Sequence, residues 1–250
     1  MNAALMVSAL AAGLVLSAAA DEPDYYVEYI ESTYPGLGAP DADSPWIDTE
    51  FRPDLFTRVE MDFQLTYART SLQPTPFGVS YGTFWFGLFH NGSAVWAINF
   101  VHGAYSKGKY YSTGLAADDT SRFHVVFDAQ ERFFAMTNLN TSVGAKINMS
   151  SIGTFAVEEG DVCDCSLPLC GQIKGEDAAP ANRAKMKIYS CNIYEKGETV
   201  RQFRPAVKDG VAGLWDKQNE RFYASKTARA FIAGKKNLWF CHPHQVIDHA

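Results

Sequence analysis

The sequence predicts an all-β protein built as an antiparallel two-sheet β-sandwich, on three observations. Residues 57–67, TRVEMDFQLTY, alternate apolar and polar side chains with a period of two, the pattern of a half-buried strand. Residues 184–223 read as two consecutive hairpins, which need a sheet to join. Roughly a dozen short strand candidates, punctuated by Gly, Pro, Asn and Asp, run along the chain with no helical period among them. No fixed-period repeat suggests a propeller.

The elements follow in order. Residues 25–31 and 46–49 are short strand candidates separated by a Pro-, Gly- and Asp-rich loop at 34–45. In residues 57–67, Val59, Met61, Phe63 and Leu65 face one way, and Arg58, Glu60, Asp62 and Gln64 the other. Residues 83–101 then give two strands that are apolar on both faces, joined at His90-Asn91-Gly92-Ser93; the Asn-Gly pair favours a tight turn with positive φ. Phe84, Phe86 and Leu88 line a core, with Trp85 and Phe89 opposite; across the hairpin Trp96, Ile98 and Phe100 oppose Val95, Ala97, Asn99 and Val101. Residues 103–114 are polar and Tyr-rich. Residues 122–128 and 132–137 form a hairpin around Asp128-Ala129-Gln130-Glu131, and short strands follow near 143–147, 153–157 and 167–173. After a polar loop at 174–182, strict alternation puts Met186, Ile188, Ser190, Asn192 and Tyr194 on one side of a long strand, and Lys187, Tyr189, Cys191 and Ile193 on the other. Glu195-Lys196-Gly197-Glu198 turns the chain into residues 199–203, and Asp216-Lys217-Gln218-Asn219 turns 211–215 into 221–223.

A chain of 250 residues that is 47% hydrophobic and 14% aromatic can bury a substantial core. A net charge of −6, with no run of Lys or Arg longer than a pair, leaves no electrostatic footprint for nucleic acid. Residues 1–20 are apolar and end in Ala18-Ala19-Ala20 before Asp21-Glu22, the pattern of a secretory signal peptide; with no Lys or Arg ahead of it, the same run would also serve as an uncleaved anchor. No second stretch approaches the ~20 apolar residues that span a bilayer, so no membrane span is expected after cleavage. The expected location is secreted, periplasmic or cell-surface. Export permits disulfides, and of the five cysteines Cys163, Cys165 and Cys170 are close enough in sequence to suggest one; a metal is the alternative, although the spacing is not CxxC. Cys191, mid-strand, reads as a small buried hydrophobe. Cys241, His242, His244 and His249 lie in a C-terminal tail, 235–250, which reads as a solvated end.

With the strands placed, the chain resembles the concanavalin A-like lectin/glucanase superfamily, in particular the laminin G-like jelly-roll domains of secreted bacterial proteins. The segments that carry the resemblance are Tyr29-Ile30-Glu31-Ser32-Thr33, Trp46-Ile47-Asp48-Thr49 with Phe51-Arg52-Pro53, residues 57–63, Phe123-His124-Val125-Val126-Phe127-Asp128, Lys187-Ile188-Tyr189-Ser190, Arg201-Gln202-Phe203-Arg204-Pro205-Ala206 and Gly213-Leu214-Trp215-Asp216. The implied organisation is a signal peptide at 1–20, a laminin G-like sandwich at 21–234 and a tail at 235–250. The fold hosts lectins, glycosidases, adhesive modules and spacers alike, so function must be read from a site.

Glu60-Met61-Asp62-Phe63-Gln64 resembles the one-strand acid row of family-16 glycosidases in this superfamily, but Gln64 stands where the general acid would be, and an amide cannot protonate a leaving oxygen. No Gly-x-Ser-x-Gly elbow and no phosphate-binding Gly-rich loop is present, and His124, alternating with Val125 and Phe127, reads as a structural histidine. Catalysis is not expected. The candidate ligand-binding residues are instead Trp85, Trp96, Asn91, Asn99, Tyr110 and Tyr111, aromatic rings with amide neighbours of the kind that stack on and hydrogen-bond to sugars. The resemblance admits Ca²⁺ at a sandwich edge, with Asp118, Asp119 and Asp128 as possible ligands, but fixes no site; no other cofactor is expected. The expected function is an exported, non-catalytic module that binds a glycan or another cell-surface ligand. The alternatives are a structural or adhesion module without a small ligand, and a divergent glycoside hydrolase. Nothing in residues 184–223 suggests chemistry.

Overall fold

A computed structural model describes residues 22–32, 41–67, 73–81, 84–91, 95–101, 110–149, 163–175, 177 and 179–237. Those residues form strands, turns and loops with no helix, arranged as two facing sheets. The large sheet follows the order β11 (Gly144–Asn148), β10 (Phe133–Asn138), β9 (Arg122–Asp128), β4 (Thr57–Leu65), β14 (Met186–Glu195), β15 (Glu198–Lys208), β16 (Val211–Asp216), β17 (Arg221–Tyr223). The small sheet follows β3 (Ile47–Asp48), β12 (Pro168–Leu169), β5 (Phe77–Tyr81), β6 (Phe84–His90), β7 (Val95–Val101), β8 (Tyr110–Ala116). Pairing is antiparallel except where β13 (Gln172–Lys174) runs parallel to β5. The all-β sandwich is therefore the architecture of the protein. Residues 153–157, Cys241 and the end of the tail lie outside the described residues.

Strand β4 shows why the two sheets close on one another. Val59, Met61, Phe63 and Leu65 are buried, while Arg58, Glu60, Asp62 and Gln64 lie half-buried on the outer face. The inward face of β9 adds Phe123, Val125 and Phe127, and β6 answers from the other sheet with Phe84, Phe86 and Leu88. Phe86 stacks on Phe127 with ring centres 4.3 Å apart, and Trp96 from β7 meets Phe63 edge-on at 5.2 Å. Such aromatic pairs add about 0.5–1.5 kcal/mol each beyond the area they bury. Close approach is built in at Gly87, where a Cβ would lie 2.8 Å from the Gly78 Cα across the strand pair.

Two elements were not anticipated, β5 and β8, and β15 runs on past residue 203 to Lys208 before turning at Asp209 and Gly210, whose φ values are 50° and 75°. The expected turn into β15 is made by Lys196 and Gly197, also at positive φ, 51° and 83°. Pairing at the C-terminus continues beyond residue 234: Val27 bridges Lys236, and the Asn237 amide donates to the Tyr26 carbonyl at 2.9 Å.

The long strand β14 departs from strict alternation. Ile188 pairs with Phe63 and Ser190 with Asp62, so Tyr189 is an extra residue with no partner of its own on β4, a β-bulge. The parity of the strand switches there. Met186, Ile188, Cys191 and Ile193 face the core, while Lys187, Tyr189, Ser190, Asn192 and Tyr194 lie on the other side. The uniform alternation expected for residues 184–194 is corrected accordingly, because one inserted residue exchanges the faces of everything after it.

Candidate functional site

Among the described residues, the side chains expected to form a ligand platform on this hairpin do not share one face. Trp96 is 0% exposed and its ring sits in the core against Phe63 and Phe123, so it presents no face to a sugar; it is removed from the candidate site because the inward face of β7 claims it. Trp85 is half-buried on the opposite, outer face of the small sheet. Tyr111 pairs with Ile98, packs against the core and has its hydroxyl buried there. Asn91 is spent on closing its turn: its amide donates to the Val95 carbonyl at 3.0 Å and its Oδ1 accepts from the Val95 amide at 3.3 Å. Asn99 and Tyr110 pair with each other through their backbones, and their side chains lie outside the described residues. Trp85, Trp96 and Tyr111 thus do not converge on one surface.

The acid row of β4 is a closed network. Glu60 takes an ion pair from Arg58 and a hydrogen bond from the Tyr194 hydroxyl at 3.0 Å. Asp62 Oδ1 lies 2.7 Å from His124 Nδ1 and its Oδ2 accepts from Arg122 at 2.7 Å. Burial pushes the Asp62 carboxyl up, but the hydrogen bonds from His124 and Arg122 outweigh it and hold the group below its ordinary value. The same hydrogen bond, donated by His124 to the Asp62 carboxylate, raises the His124 imidazole, against the opposing effect of burial. Gln64 accepts from the Tyr189 hydroxyl at 3.0 Å. Both carboxylates already hold cationic or hydroxyl partners in the ladder, which is what a structural row requires.

Cys163, Cys165, Cys170 and Cys191 are free thiols, so no disulfide joins the first three, and burial pushes the Cys163, Cys170 and Cys191 thiols up to about 12. Cys191 is a fully buried core residue. Among the described residues no three His, Cys, Asp or Glu side chains gather as a metal site. Asp118 accepts hydrogen bonds from Thr120 and Ser121 in its turn, and Asp128 accepts from the Glu131 amide.

A cleft of about 290 Å³ opens elsewhere on the large sheet, lined by Tyr26, Val27, Glu28, Arg122, Tyr189, Ser190, Arg204, Pro205 and Asn237. Its origin is a fork. The second half of β14 pairs with β15 from Cys191 onward, whereas its first half pairs with β2 (Ile30–Glu31). The far end of β15 pairs instead with β1 (Tyr25–Tyr26). The N-terminal segment is thereby wedged between two strands that have parted, and the bulge turns Tyr189 and Ser190 into the gap.

The walls are chemically mixed. The Arg122 guanidinium lies over the Tyr189 ring at 3.9 Å, braced below by Asp62. Arg204 uses one terminal nitrogen to reach Asn192 Oδ1 at 2.9 Å and the Phe203 carbonyl at 2.7 Å; its other nitrogens make no hydrogen bond to a described residue. Burial raises the Tyr26 and Tyr189 phenols, so both remain protonated donors at neutral pH. Glu28 and Asn237 add a carboxylate and an amide. Sequence reasoning missed this cleft because its residues come from both ends of the sandwich; the readable signal was the polar and aromatic crowding of Tyr189-Ser190 in an otherwise alternating strand.

No protein-family model and no curated protein sequence matches the chain. Among solved structures it is similar to the CBM40 module of the Ruminococcus gnavus IT-sialidase bound to α2,3 sialyllactose, at 11% identity, covering 70% of this chain and 92% of that one with a TM-score of 0.44. The same module bound to α2,6 sialyllactose matches at 10% identity over the same shares with a TM-score of 0.43. The enzymatically active domain of bacteriophage CBA120 tailspike protein 2 matches at 8% identity, covering 70% of this chain and 29% of that one, with a TM-score of 0.44.

Proposed function

We propose that this chain is an exported, non-catalytic β-sandwich module of the concanavalin A-like, jelly-roll kind, and that it binds a carbohydrate in the cleft at the β14–β15 fork. The observation that carries the reading is the cleft's composition. Tyr26 and Tyr189 rings, the Ser190 hydroxyl, the Glu28 carboxylate, the Asn237 amide and the open side of the Arg204 guanidinium surround one small volume. A sugar ring offers an apolar C–H face to an aromatic side chain and a rim of hydroxyls that both donate and accept; this set supplies the ring, the donors and the acceptors together. At about 290 Å³, the space sits at the small end of ligand pockets and suits one terminal sugar unit better than an extended chain.

The test is a glycan array followed by calorimetry on the purified protein. Binding that disappears in Arg204→Ala and Tyr189→Ala, with the folded signal by circular dichroism intact, supports the reading; binding lost in Trp85→Ala and kept in the cleft variants would move the site to the small sheet. Release of reducing sugar that vanishes in Glu60→Gln would overturn the non-catalytic assignment.

A further inference from the structure

Ten asparagines occur in the sequence, and three of them begin an Asn-x-Ser/Thr tripeptide: Asn91-Gly92-Ser93, Asn140-Thr141-Ser142 and Asn148-Met149-Ser150. Such tripeptides are acceptors for N-linked glycans in exported proteins, and a folded chain that carries the glycan must hold the asparagine at its surface. Asn140 is exposed in the turn that joins β10 to β11, and Asn148 is exposed at the end of β11. Together they bracket the last strand of the large sheet, which among the described residues pairs only with β10.

The hydrogen bonding of Asn140 distinguishes it from its neighbours. Its Oδ1 accepts the Arg122 backbone amide at 2.8 Å, while its Nδ2 donates to no described residue. In three other asparagines the side-chain nitrogen is engaged: Asn138 Nδ2 donates to Ser121 at 2.9 Å, Asn182 Nδ2 to Gln172 at 3.2 Å and Asn219 Nδ2 to Asp216 at 2.7 Å. A second observation lies in the same turn. Leu139 and Val143, on either side of the acceptor tripeptide, are 44% and 56% exposed, two of the large apolar side chains that the fold leaves in water.

We infer that Asn140 is N-glycosylated, with Asn148 as a second acceptor, and that the glycans cover the β11 edge and the Leu139–Val143 apolar turn. In the transfer, Asn140 Nδ2 attacks the anomeric carbon of a lipid-pyrophosphate-linked oligosaccharide. A C–N bond forms, the anomeric C–O bond to phosphate breaks, the lipid pyrophosphate leaves with that electron pair, and one Nδ2 proton passes to a base of the transferase. The Oδ1 lone pairs are untouched, so the bond from the Arg122 amide survives the modification. A bulky, hydrophilic chain at each end of an edge strand also blocks its pairing with a second sheet, a hazard that every exposed edge carries. This inference shares with the carbohydrate-binding reading only the expectation of export.

The experiment is translation of the full chain with and without rough microsomes, followed by endoglycosidase digestion. Discrete steps of slower migration that collapse on digestion are expected, with one step lost in Asn140→Gln and another in Asn148→Gln. Ser142→Ala should remove the same step as Asn140→Gln, although Asn140 itself remains. Because the steps report on the translocated chain rather than on its final fold, a poorly folding variant still gives an answer. Identical migration with and without microsomes, whether from failed import or from unmodified asparagines, overturns the inference, as does an unchanged number of steps in Asn140→Gln. Deglycosylation of the secreted, folded protein should raise its self-association in sedimentation; unchanged sedimentation overturns the shielding role.

Discussion

Deleting Tyr189 should leave the fold standing, although it removes a residue from the middle of a long central strand. In the β14–β4 ladder Ile188 opposes Phe63 and Ser190 opposes Asp62, so the chain without Tyr189 keeps both pairings and every one beyond them. What is lost is the side chain: a hydroxyl hydrogen bond to Gln64, a guanidinium over the ring and an edge contact with Tyr29 at 5.6 Å. At about 1 kcal/mol for the hydrogen bond, 0.5–1 for the cation–π contact and 0.5–1.5 for the aromatic pair, the cost is about 2–3.5 kcal/mol. A typical domain stability of about 5–15 kcal/mol absorbs that loss. The deletion and Tyr189→Ala should therefore unfold within about 1 kcal/mol of one another, because both forfeit the same contacts. Deleting Asn192 is the control. It sends either Ile193 or the inward residues before it to the wrong face and misaligns the turn at Lys196-Gly197, so it should cost far more than Asn192→Ala. Urea unfolding followed by tryptophan fluorescence reads all four variants, and calorimetry with a bound glycan should find the cleft disabled in both Tyr189 variants. If the Tyr189 deletion proves more than about 2 kcal/mol worse than Tyr189→Ala, the extra residue carries the ladder and the bulge argument fails.

Other outcomes follow from the same geometry. Arg204→Ala should weaken glycan binding by about 10- to 100-fold, the loss of charge-assisted hydrogen bonds worth about 1.5–3 kcal/mol, with little change in the urea midpoint; an unaltered isotherm would remove Arg204 from the site. Trp96→Ala should destabilise by about 3–5 kcal/mol, and Trp96→Phe by much less, since the buried indole N–H has no hydrogen-bond partner for phenylalanine to lose. The His124–Asp62 pair makes a pH prediction. His124 is raised when folded, so its stabilisation is full below about pH 6.5 and fades as pH rises through the folded value; Asp62 is lowered, so its share is full above about pH 4 and fades as pH falls. The stability gap between wild type and His124→Gln should therefore be widest at about pH 5–6 and close toward pH 9. The imidazole is 43% exposed, so the gap should stay near the 0.2–1 kcal/mol of a solvent-screened pair, and a gap that widens with rising pH would contradict the assignment.

Local pattern was readable wherever one rule acted alone. In β4 nine consecutive residues alternate as expected, because a single face meets the core and nothing interrupts the pleat. The Lys196-Gly197 turn was equally visible, as positive φ there is a local demand. Strand β14 escaped because a bulge is a property of two strands: only the partner's register reveals that Tyr189 is surplus. Trp85 and Trp96 looked alike, since both sit in strands apolar on each side, and only the opposing sheet determines which ring is inside. The cleft was the least legible feature. Its residues read as ordinary strand positions until pairing brings Tyr26, Tyr189, Arg204 and Asn237 together.

That convergence bears on how the protein is made. Tyr26 to Glu28 are among the earliest residues of the sandwich to be synthesised, yet β1 has no strand to join until Ala206 and Val207 exist, and the wall is finished only by Asn237. Contacts of such long sequence separation form late and slowly. A growing or truncated chain can therefore fold hairpins and bury aromatic rings without completing the cleft. The cleft is complete only when the two ends of the sandwich meet, so on the proposed reading a molecule that holds a glycan there has been built through at least to Asn237.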